Sequence, residues 1–369
     1  MKYYLVVGER SGDLHASNLM REIKNLDSKA EFRFFGGEQM QAVGGTLVRH
    51  YQEMAIMGFV EVLLNIRKIA RFLKECKQDI LQYKPDVVIL VDYAGFNMRI
   101  AKFCKTNHIK NYYYISPKVW AWNTKRALKI KQNVDQMFVI FPFEKNFFKQ
   151  FDYDVDFVGN PLLDAIRAFK PNTQFLDNHK LDKNKPIIAV LPGSRKSEVS
   201  HILPIMLSVY ESFKEYQWVV AGVKNLSENF YAECKRLNIP IIYDQTYDLL
   251  ANAHAAIVTS GTATLETALF NVPQVVCYKG SWISYQIAKR LIKVPYISLV
   301  NLILNKLTVV ELIQDKLNTK NLEIELKKTL TGESRNAILN DYATLQNIMG
   351  EAGASETTAK LIYKYLSTQ

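Results

Sequence analysis

Residues 186–199, at the middle of the chain, read PIIAVLPGSRKSEV. An apolar run of strand length, rich in β-branched residues, meets a Pro-Gly-Ser break and then an amphipathic pattern of helical period. This order predicts a strand, a tight loop and the N-terminus of a helix. Backbone N–H groups and the helix dipole favour an anion at such a junction, and Gly193, Ser194 and Arg195 would line it. The stretch therefore predicts a phosphate-binding loop at the start of a nucleotide-binding-type α/β domain.

A comparable pattern opens the chain between residues 3 and 26, where a strand, a glycine-containing turn and a helix follow one another. The turn places Glu9, Ser11, Asp13 and His15 near the carboxyl end of the strand, where open α/β sheets bind ligands. A plain helix cap, in which Ser11 or Asp13 accepts from free N–H groups, is an equally supported alternative. Together the two patterns predict an α/β protein with two Rossmann-like domains that face each other across a cleft.

A chain of 369 residues is too long for one typical core and suits two domains. We expect a first domain over residues 1–170, a polar linker over 171–185 and a second domain over 186–345. A C-terminal helix over 346–369 is expected to pack back across the domains. Hydrophobic residues make up 48% of the chain, which predicts a packed globular protein.

The net charge of +11 is unevenly distributed. Residues 1–170 contain 26 Lys and Arg against 18 Asp and Glu, and no acidic residue lies between Asp92 and Asp135. A basic surface of this kind suits an anionic partner: a phosphorylated substrate, an acidic membrane leaflet or a nucleic acid. A nucleic-acid role has the least support, because the sequence contains no RNA- or DNA-binding motif.

The cysteine pattern and the lengths of the apolar runs bear on the compartment. Four widely separated cysteines form no Cys-x-x-Cys pair, which argues against a zinc site and a disulfide framework and favours a reducing, cytosolic compartment. Met1 and Lys2 run directly into the first strand, which leaves no room for a signal peptide, and no apolar run reaches membrane-spanning length. We therefore expect any membrane contact to be peripheral.

A candidate for that contact lies in the first half. Residues 54–64 read MAIMGFVEVLL, and residues 65–77 continue as a helix with one apolar and one basic face. Acyl chains suit the apolar face and lipid phosphates the basic one, although most amphipathic helices only cover a core, so both interpretations stay open. The basic face consists of Arg67, Lys68, Arg71 and Lys74.

Two further loops of the first half follow predicted strands. Residues 85–92 form a strand that ends in Asp92, which is either a general base or the N-cap of the next helix. Residues 111–122 form a strand and a loop with Ser116 and two tryptophans, of which Trp120 is the first. Aromatic rings beside Lys and Arg can stack on a sugar or lie at a lipid interface, but such clusters are more often core.

Alternating aspartates at residues 152–156, DYDVD, resemble a metal-binding Asp-x-Asp motif. The apolar residues between and around them alternate as in a half-exposed strand. We therefore favour a solvated edge strand and predict no metal site there.

A second phosphate-binding loop is predicted in the second half. A strand over 255–259 runs into Ser260, Gly261, Thr262 and Ala263, whose small side chains leave the next helix N-terminus uncovered. Glu266 lies one turn further on, where it is placed to accept from ribose hydroxyls. Two such loops in one domain strengthen the prediction of a nucleotide site.

Six stretches of the chain, in family order, resemble the lipid-A-disaccharide synthase family: residues 8–15 (GERSGDLH), 57–62 (MGFVEV), 116–122 (SPKVWAW), 191–199 (LPGSRKSEV), 260–266 (SGTATLE) and 298–302 (SLVNL). The resemblance covers almost the whole chain. It implies a GT-B fold and an inverting transfer that needs neither a metal ion nor a cofactor. The implied reaction joins UDP-2,3-diacylglucosamine to the 6-hydroxyl of 2,3-diacylglucosamine 1-phosphate. It forms lipid A disaccharide 1-phosphate and UDP in lipid A (lipopolysaccharide) biosynthesis.

The same resemblance, with the residue chemistry, gives roles to individual side chains. Asp92 corresponds to the family's essential acid and is the first choice for the base, with Glu9 second. The family usually reads Asp-x-Pro-Asp-Phe-Asn where residues 92–97 read DYAGFN, so the second carboxylate is not required here. The expected donor-binding residues are Gly193, Ser194, Arg195, Ser260, Gly261, Thr262, Ala263, Glu266 and, without a derived role, Asn301. The expected acceptor-side residues are Ser11, Asp13, His15, Ser116 and Trp120.

Two other functions remain open at this point. A UDP-sugar epimerase of the same architecture would turn over its substrate without an acceptor, and a non-catalytic peripheral lipid-binding protein would not depend on Asp92. For the favoured reaction we expect both acylated sugars as partners and peripheral attachment to the cytoplasmic face of the inner membrane. We expect no nucleic-acid partner, and the sequence permits an oligomer.

Overall fold

The computed structural model describes residues 1–54, 66–224, 226–280, 285 and 294–368. One feature singled out above lies outside these residues: the apolar stretch over 55–64 with its MGFVEV motif. The chain divides into two compact units. The first unit consists of Met1–Arg167 and Glu351–Gln369, and the second of Ala168–Gly350.

The first unit is built on a seven-stranded parallel sheet in the order β3-β2-β1-β4-β5-β6-β7. Strand β4 reads VVILV and is buried throughout, as expected for a parallel strand that is covered on both faces. The strands are β1 (Lys2–Val6), β2 (Glu31–Gly36), β3 (Thr46–His50), β4 (Val87–Val91), β5 (Asn111–Tyr114), β6 (Gln136–Val139) and β7 (Asp156–Phe157).

The helices of the first unit flank this sheet. In α1, Ala16, Leu19, Met20 and Ile23 recur with helical period and are buried. The described helices are α1 (Arg10–Leu26), α2 (Glu38–Val43), α3 (Tyr51–Met54), α4 (Ile66–Tyr83), α5 (Ala94–Thr106), α6 (Val119–Trp122), α7 (Arg126–Asn133), α8 (Pro142–Lys149) and α9 (Pro161–Ala168).

The C-terminal helix, Ala354–Ser367, completes the first unit and packs against α1. Ala359 and Ile362 are fully buried in the same core cluster as Leu19 and Met20. The N-terminus of the helix is fixed by Asp164, whose carboxylate accepts from the backbone N–H groups of residues 353–355. The last segment of the sequence is therefore part of the domain that the first segment begins.

The second unit contains a six-stranded parallel sheet in the order β10-β9-β8-β11-β12-β13. Counted from its own first strand, this order repeats the first six strands of the other sheet, and both units are Rossmann-like. The strands are β8 (Ile187–Leu191), β9 (Gln217–Gly222), β10 (Ile241–Tyr243), β11 (Ala253–Thr259), β12 (Gln274–Tyr278) and β13 (Glu311–Ile313).

Helices again flank the second sheet, together with three short 3-10 helices at Tyr210–Phe213, Glu228–Tyr231 and Gln314–Lys316. The described α-helices are α10 (Phe175–Asn178), α11 (Lys196–Leu207), α12 (Ala232–Arg236), α13 (Thr246–Asn252), α14 (Thr262–Leu269), α15 (Leu299–Leu304), α16 (Thr319–Leu330) and α17 (Gly332–Met349). The C-terminal helix described above is α18.

The stretch expected to be a linker, residues 171–185, is structured. Phe175 and Leu181 are buried in a core cluster of the second unit, and the Asn172 N–H donates to Asp248 Oδ1 at 2.7 Å. Most residues of this stretch are polar, but its two buried apolar side chains anchor it to the core. The stretch is therefore an integral part of the second unit.

Two expectations about the surface can be compared with the described residues. The Asp-x-Asp stretch is an edge of the sheet only at Asp156–Phe157, because Tyr153 and Val155 turn into the core. Within the described ranges no cluster of three or more His, Cys, Asp or Glu side chains is placed to hold a metal ion. No helix in the same ranges combines the length and hydropathy that crossing a membrane requires.

Candidate active site

In each sheet the strand order reverses between two neighbouring strands, β1 and β4 in the first unit and β8 and β11 in the second. Open α/β sheets bind ligands outside the carboxyl ends of the strands at such a switch point. Glu9 follows β1 and Asp92 follows β4, while Gly193 follows β8 and Ser260 follows β11. Each unit thus brings two of the predicted loops to one edge of its sheet.

Asp92 sits in an unusual backbone conformation at the end of β4. Asp92 and Tyr93 have φ angles of 48° and 46°, a region that costs a non-glycine residue about 1–3 kcal/mol. Buried Asn97 holds the turn, since its side-chain amide donates to the Asp92 carbonyl at 2.8 Å and to the Val6 carbonyl of β1 at 3.2 Å. The Tyr113 hydroxyl donates to the same Asp92 carbonyl. These bonds fix the aspartate at the switch point.

The half-buried Asp92 carboxyl has a perturbed acidity. Burial raises its pKa above the ordinary aspartate value, while the Lys118 ammonium and the Tyr93 N–H act in the opposite direction. A raised pKa brings a carboxylate closer to the range in which it exchanges protons efficiently near neutral pH. Asp92 is therefore suited to act as a general base.

Glu9 reaches the same edge from the neighbouring strand. It occupies the N-cap position of α1, and the preceding Gly8 packs so closely on the Tyr93 ring that a Cβ there would lie 2.3 Å from it. Burial raises the pKa of Tyr93, and the Glu9 charge adds to that effect. The structure thus brings both predicted carboxylates to the switch point of the first unit.

Three other residues of this loop have different surroundings. Ser11 is exposed on the first turn of α1, and burial lowers the pKa of His15 to about 4, against the field of Asp164. Asp13 is fully buried and accepts from the N–H groups of Gly37 (2.7 Å), Gln39 (3.0 Å) and Met40 (3.2 Å). Asp13 is therefore a helix cap, which was one of the two predicted alternatives, but it caps α2 rather than α1. The predicted role of Asp13 in acceptor binding is wrong.

Ser116 and Trp120, expected to face the acceptor, are both buried against a residue that the sequence analysis missed. The Glu144 carboxylate accepts from the Ser116 hydroxyl and from Trp120 Nε1 at 3.1 Å. Burial raises the pKa of Glu144, and these bonds act in the opposite direction. A signal was available, because Pro142 and Glu144 occupy the first and third positions of a helix, where an acid can accept from the backbone N–H of the N-cap residue.

In the loop after β8 of the second unit, two backbone N–H groups already donate to a side chain of the helix that follows. Gly193 has a φ angle of 98°, and the Glu198 carboxylate folds back to accept from the N–H groups of Ser194 (3.1 Å) and Arg195 (3.2 Å). The Arg195 side chain is 70% exposed and lies 3.3 Å from Glu198 Oε1. The predicted strand, tight loop and helix N-terminus thus form, and a carboxylate accepts from two of the N–H groups that a phosphate was expected to contact.

The loop after β11 is open. Gly261 begins α14 with no described side chain as its cap, and a Cβ there would have no described heavy atom within 4 Å. Gly261 and Thr262 are exposed and Ala263 is half-buried, whereas the Ser260 hydroxyl donates to the Ile297 carbonyl at 3.1 Å. An uncapped helix N-terminus with small side chains suits a diphosphate.

Glu266 lies one turn into α14, as predicted. Its Oε1 accepts from the Tyr247 hydroxyl at 2.8 Å, and burial raises the pKa of its carboxyl group. The bond orients the carboxylate through one oxygen atom, so the second oxygen can accept from a hydroxyl of a ligand.

Asn301 is a structural residue in this unit. It is fully buried; Oδ1 accepts from the N–H groups of Thr308 (2.8 Å) and Val309 (2.9 Å), and Nδ2 donates to the Val309 carbonyl (2.8 Å) and to Glu311 (2.9 Å). The Glu311 carboxylate also accepts from the Ile297 N–H, next to the loop that Ser260 contacts. Asn301 therefore has a structural role, and the prediction that it contacts the ligand directly is corrected.

A family model described as "Lipid-A-disaccharide synthetase" matches residues 3–363. The chain is 35% identical to the lipid-A-disaccharide synthase of Geobacter sulfurreducens, with 99% of this chain and 97% of that protein aligned. It is 38% identical to the synthase of Syntrophus aciditrophicus over 96% and 95% of the two chains, and 32% identical to that of Coxiella burnetii over 98% of each.

Solved structures support the fold. UDP-GlcNAc 2-epimerase from Neisseria meningitidis bound to UDP-GlcNAc aligns over 100% of both chains with a TM-score of 0.67 and 14% identity. The glycotransferase of kitacinnamycin aligns over 99% of both chains with a TM-score of 0.67 and 12% identity. Identities this low show a common GT-B-type architecture, whereas the family model and the curated relatives match nearly the whole sequence. The chain belongs to the lipid-A-disaccharide synthase family.

Proposed function

We propose that this protein is an inverting glycosyltransferase of lipid A biosynthesis that uses Asp92 as its base. The donor would be UDP-2,3-diacylglucosamine and the acceptor 2,3-diacylglucosamine 1-phosphate, with lipid A disaccharide 1-phosphate and UDP as products. One observation carries the assignment of roles. A half-buried carboxylate of raised pKa stands at the switch point of the first unit, and an uncapped helix N-terminus stands at that of the second.

The proposed chemistry needs one proton transfer and one displacement. Asp92 takes the proton of the acceptor 6-hydroxyl while the oxygen attacks C1 of the donor sugar and the bond from C1 to the diphosphate breaks. Attack from the opposite side inverts the configuration at C1. The Glu9 carboxylate, at the same switch point, is the second candidate for the base.

The leaving diphosphate would be stabilised by the second unit. The Arg195 guanidinium and the N–H groups at Ser194 and at Gly261–Ala263 are the donors available there. Diphosphate oxygens would take over the two N–H groups that the Glu198 carboxylate now occupies. Glu266, oriented by Tyr247, would accept from the ribose hydroxyls.

The lipid substrates would be reached from the surface of the first unit. Four basic side chains of α4 are exposed, and their positive charges suit lipid phosphates. They are Arg67, Lys68, Arg71 and Lys74. The protein would thus work as a peripheral enzyme on the cytoplasmic face of the inner membrane, with the first unit as the acceptor domain and the second unit as the donor domain.

The decisive experiment measures UDP release and product formation with the two acylated sugars together and separately. We expect release only when both are present, together with a phosphorylated disaccharide. Conversion of the UDP-sugar without an acceptor would support the epimerase alternative, and binding of both lipids without turnover would support a lipid-binding protein. Either result would overturn the proposal.

A further inference from the structure

Glu144 is a buried carboxylate that the proposed chemistry does not use. It is 1% exposed, and the partners that the described residues supply to it are donors. Oε1 accepts from the Ser116 hydroxyl and from Trp120 Nε1 at 3.1 Å, and Oε2 accepts from the N–H groups of Ile140 (3.1 Å) and Phe141 (2.9 Å). Four bonds to one buried carboxylate offset part of the cost of removing its charge from water, and burial still raises the pKa of Glu144.

These bonds hold the loop that follows β5. Ser116 lies two residues before Lys118 and Trp120 two residues after it, so one carboxylate fixes the chain on both sides of the lysine. The loop begins at Ile115, whose φ angle of 65° is strained for a β-branched residue. The Trp120 ring is also held edge-on by Phe143, with ring centroids 4.9 Å apart. Strain of this kind persists only where surrounding contacts impose it.

The loop that Glu144 holds also contains Lys118, whose positive charge acts on the predicted base, Asp92. Strands β4 and β5 are neighbours, with Val91 paired to Tyr114, so the loops that follow them leave the sheet side by side. Lys118 is exposed, and its ammonium is the charged group whose field opposes the effect of burial on the Asp92 carboxyl. The Tyr113 phenol is near Asp92 as well, and Glu9 acts on the adjacent Tyr93.

We propose that Glu144 is a positioning residue that clamps the loop over residues 116–120 and thereby keeps Lys118 on the loop that neighbours the Asp92 turn. This inference rests on the proposed function, because it assigns a task to the surroundings of the base. It goes further in naming a residue, to which the proposed chemistry assigns no substrate contact, that sets the pH range in which the base is ionised.

The sign of the effect follows from the charges around Asp92. The positive charge of Lys118 stabilises the ionised Asp92 carboxylate and so lowers its pKa, whereas burial raises it. If Lys118 is displaced, the lowering effect is lost and the pKa of Asp92 rises further. The base is then protonated at higher pH, and the acid limb of the kcat/KM profile moves upward. For every pH unit that the limb moves, kcat/KM on that limb falls about tenfold, while the plateau at higher pH stays unchanged.

The test is the pH profile of UDP release by Glu144→Gln. Glutamine keeps the size of the side chain but presents an NH2 group where the carboxylate accepted two bonds. We expect an upward shift of the acid limb, and Lys118→Met should reproduce it. The double variant should add nothing to the larger of the two shifts, because both act through the same ammonium.

Asp79→Asn is the matched control. Asp79 is also a nearly buried carboxylate of the first unit, and it accepts from the Tyr4 hydroxyl and from Arg33 at 2.8 Å each. Its loss should lower the melting temperature without moving the acid limb. A shift of the same size in this control would reduce the role of Glu144 to general stability.

The outcomes separate the inference from the function it rests on. An active wild-type enzyme with an unmoved acid limb in Glu144→Gln, or with additive shifts in the double variant, overturns the inference alone. A wild-type protein that never releases UDP overturns the proposed function. If Glu144→Gln does not fold, Ser116→Ala and Trp120→Phe each remove one donor, and both must show smaller shifts in the same direction for the inference to stand.

Discussion

The two switch points have the same framework and opposite chemistry. In the first unit the residues that follow β1 and β4 are carboxylates, and one of them is held in a strained conformation by buried Asn97 and Tyr113. In the second unit the loops after β8 and β11 consist largely of small residues, and the donors that they present include backbone N–H groups and the Arg195 guanidinium. The comparison teaches that one strand order can present carboxylates or backbone N–H groups, according to the first few residues after two strands, and we propose that the first set serves proton transfer and the second anion binding.

The largest expected effect is the loss of activity in Asp92→Asn, which removes the carboxylate of the first switch point. The amide keeps the shape of the side chain but cannot take the acceptor proton, so kcat should fall about 10²–10⁴-fold. UDP affinity should not change, because the nucleotide is assigned to the other unit. The measurements are steady-state UDP release and calorimetric titration with UDP. A normal rate, or a rate lost together with UDP affinity, would contradict the division of labour.

A smaller effect is expected from Gly193→Ala in the second unit. A Cβ would lie 2.4 Å from Glu198 Oε2, and the φ angle of 98° is unfavourable for alanine, so the loop must shift. We expect the KM for the UDP-sugar to rise about tenfold, equivalent to about 1.4 kcal/mol, with a smaller change in kcat.

Gly332→Ala is the control for that experiment. Gly332 has a φ angle of 81° in the same unit, but a Cβ there would meet no described atom within 4 Å. This variant reproduces the backbone strain without the clash at the loop. An equal rise in KM in both variants would mean that the loop after β8 is not a donor site.

The smallest effect concerns stability and its dependence on pH. Burial raises the pKa of Asp92 in the folded state, so its contribution to stability is greatest below the pKa of the unfolded chain, near 3.9, and is lost as the pH rises through the folded pKa. Asp92→Asn has no charge to bury and should melt at a higher temperature than the wild type at pH 7.

Thermal denaturation across a pH series checks this prediction. The difference in melting temperature between the two proteins should shrink as the pH approaches 4, because the wild-type carboxyl is then protonated as well. A difference in melting temperature that does not depend on pH would show that burial of the ionised Asp92 carboxylate does not destabilise the folded protein.

Local sequence patterns were sufficient to predict how the switch points form. The strand, loop and helix at residues 186–199 and the acid at the end of β4 depend on neighbours in the chain, and the structure contains them. The family and its GT-B-type fold were likewise identified from short motifs in order, and the comparisons confirm both.

Polar partners distant in sequence could not be predicted in the same way. Asp13 caps a helix 24 or more residues away, and Asn301 fastens a loop through atoms of residues 308–311. Glu144 lies 28 residues from Ser116. Each of these contacts depends on how the elements pack, so the periodicity of the sequence does not predict it. The polar stretch over 171–185 misled for a related reason, since two buried apolar residues outweigh its composition.

The return of α18 to the first unit has a consequence for synthesis on the ribosome. The second unit has all its residues once Gly350 has been made, whereas the first still lacks Glu351–Gln369 at that point. During that interval the apolar face of α1 that Ala359 and Ile362 will cover is still exposed. The first unit can therefore finish folding only after the second unit has been made, and a nascent chain that stalls between Gly350 and Ala359 would present that face to chaperones.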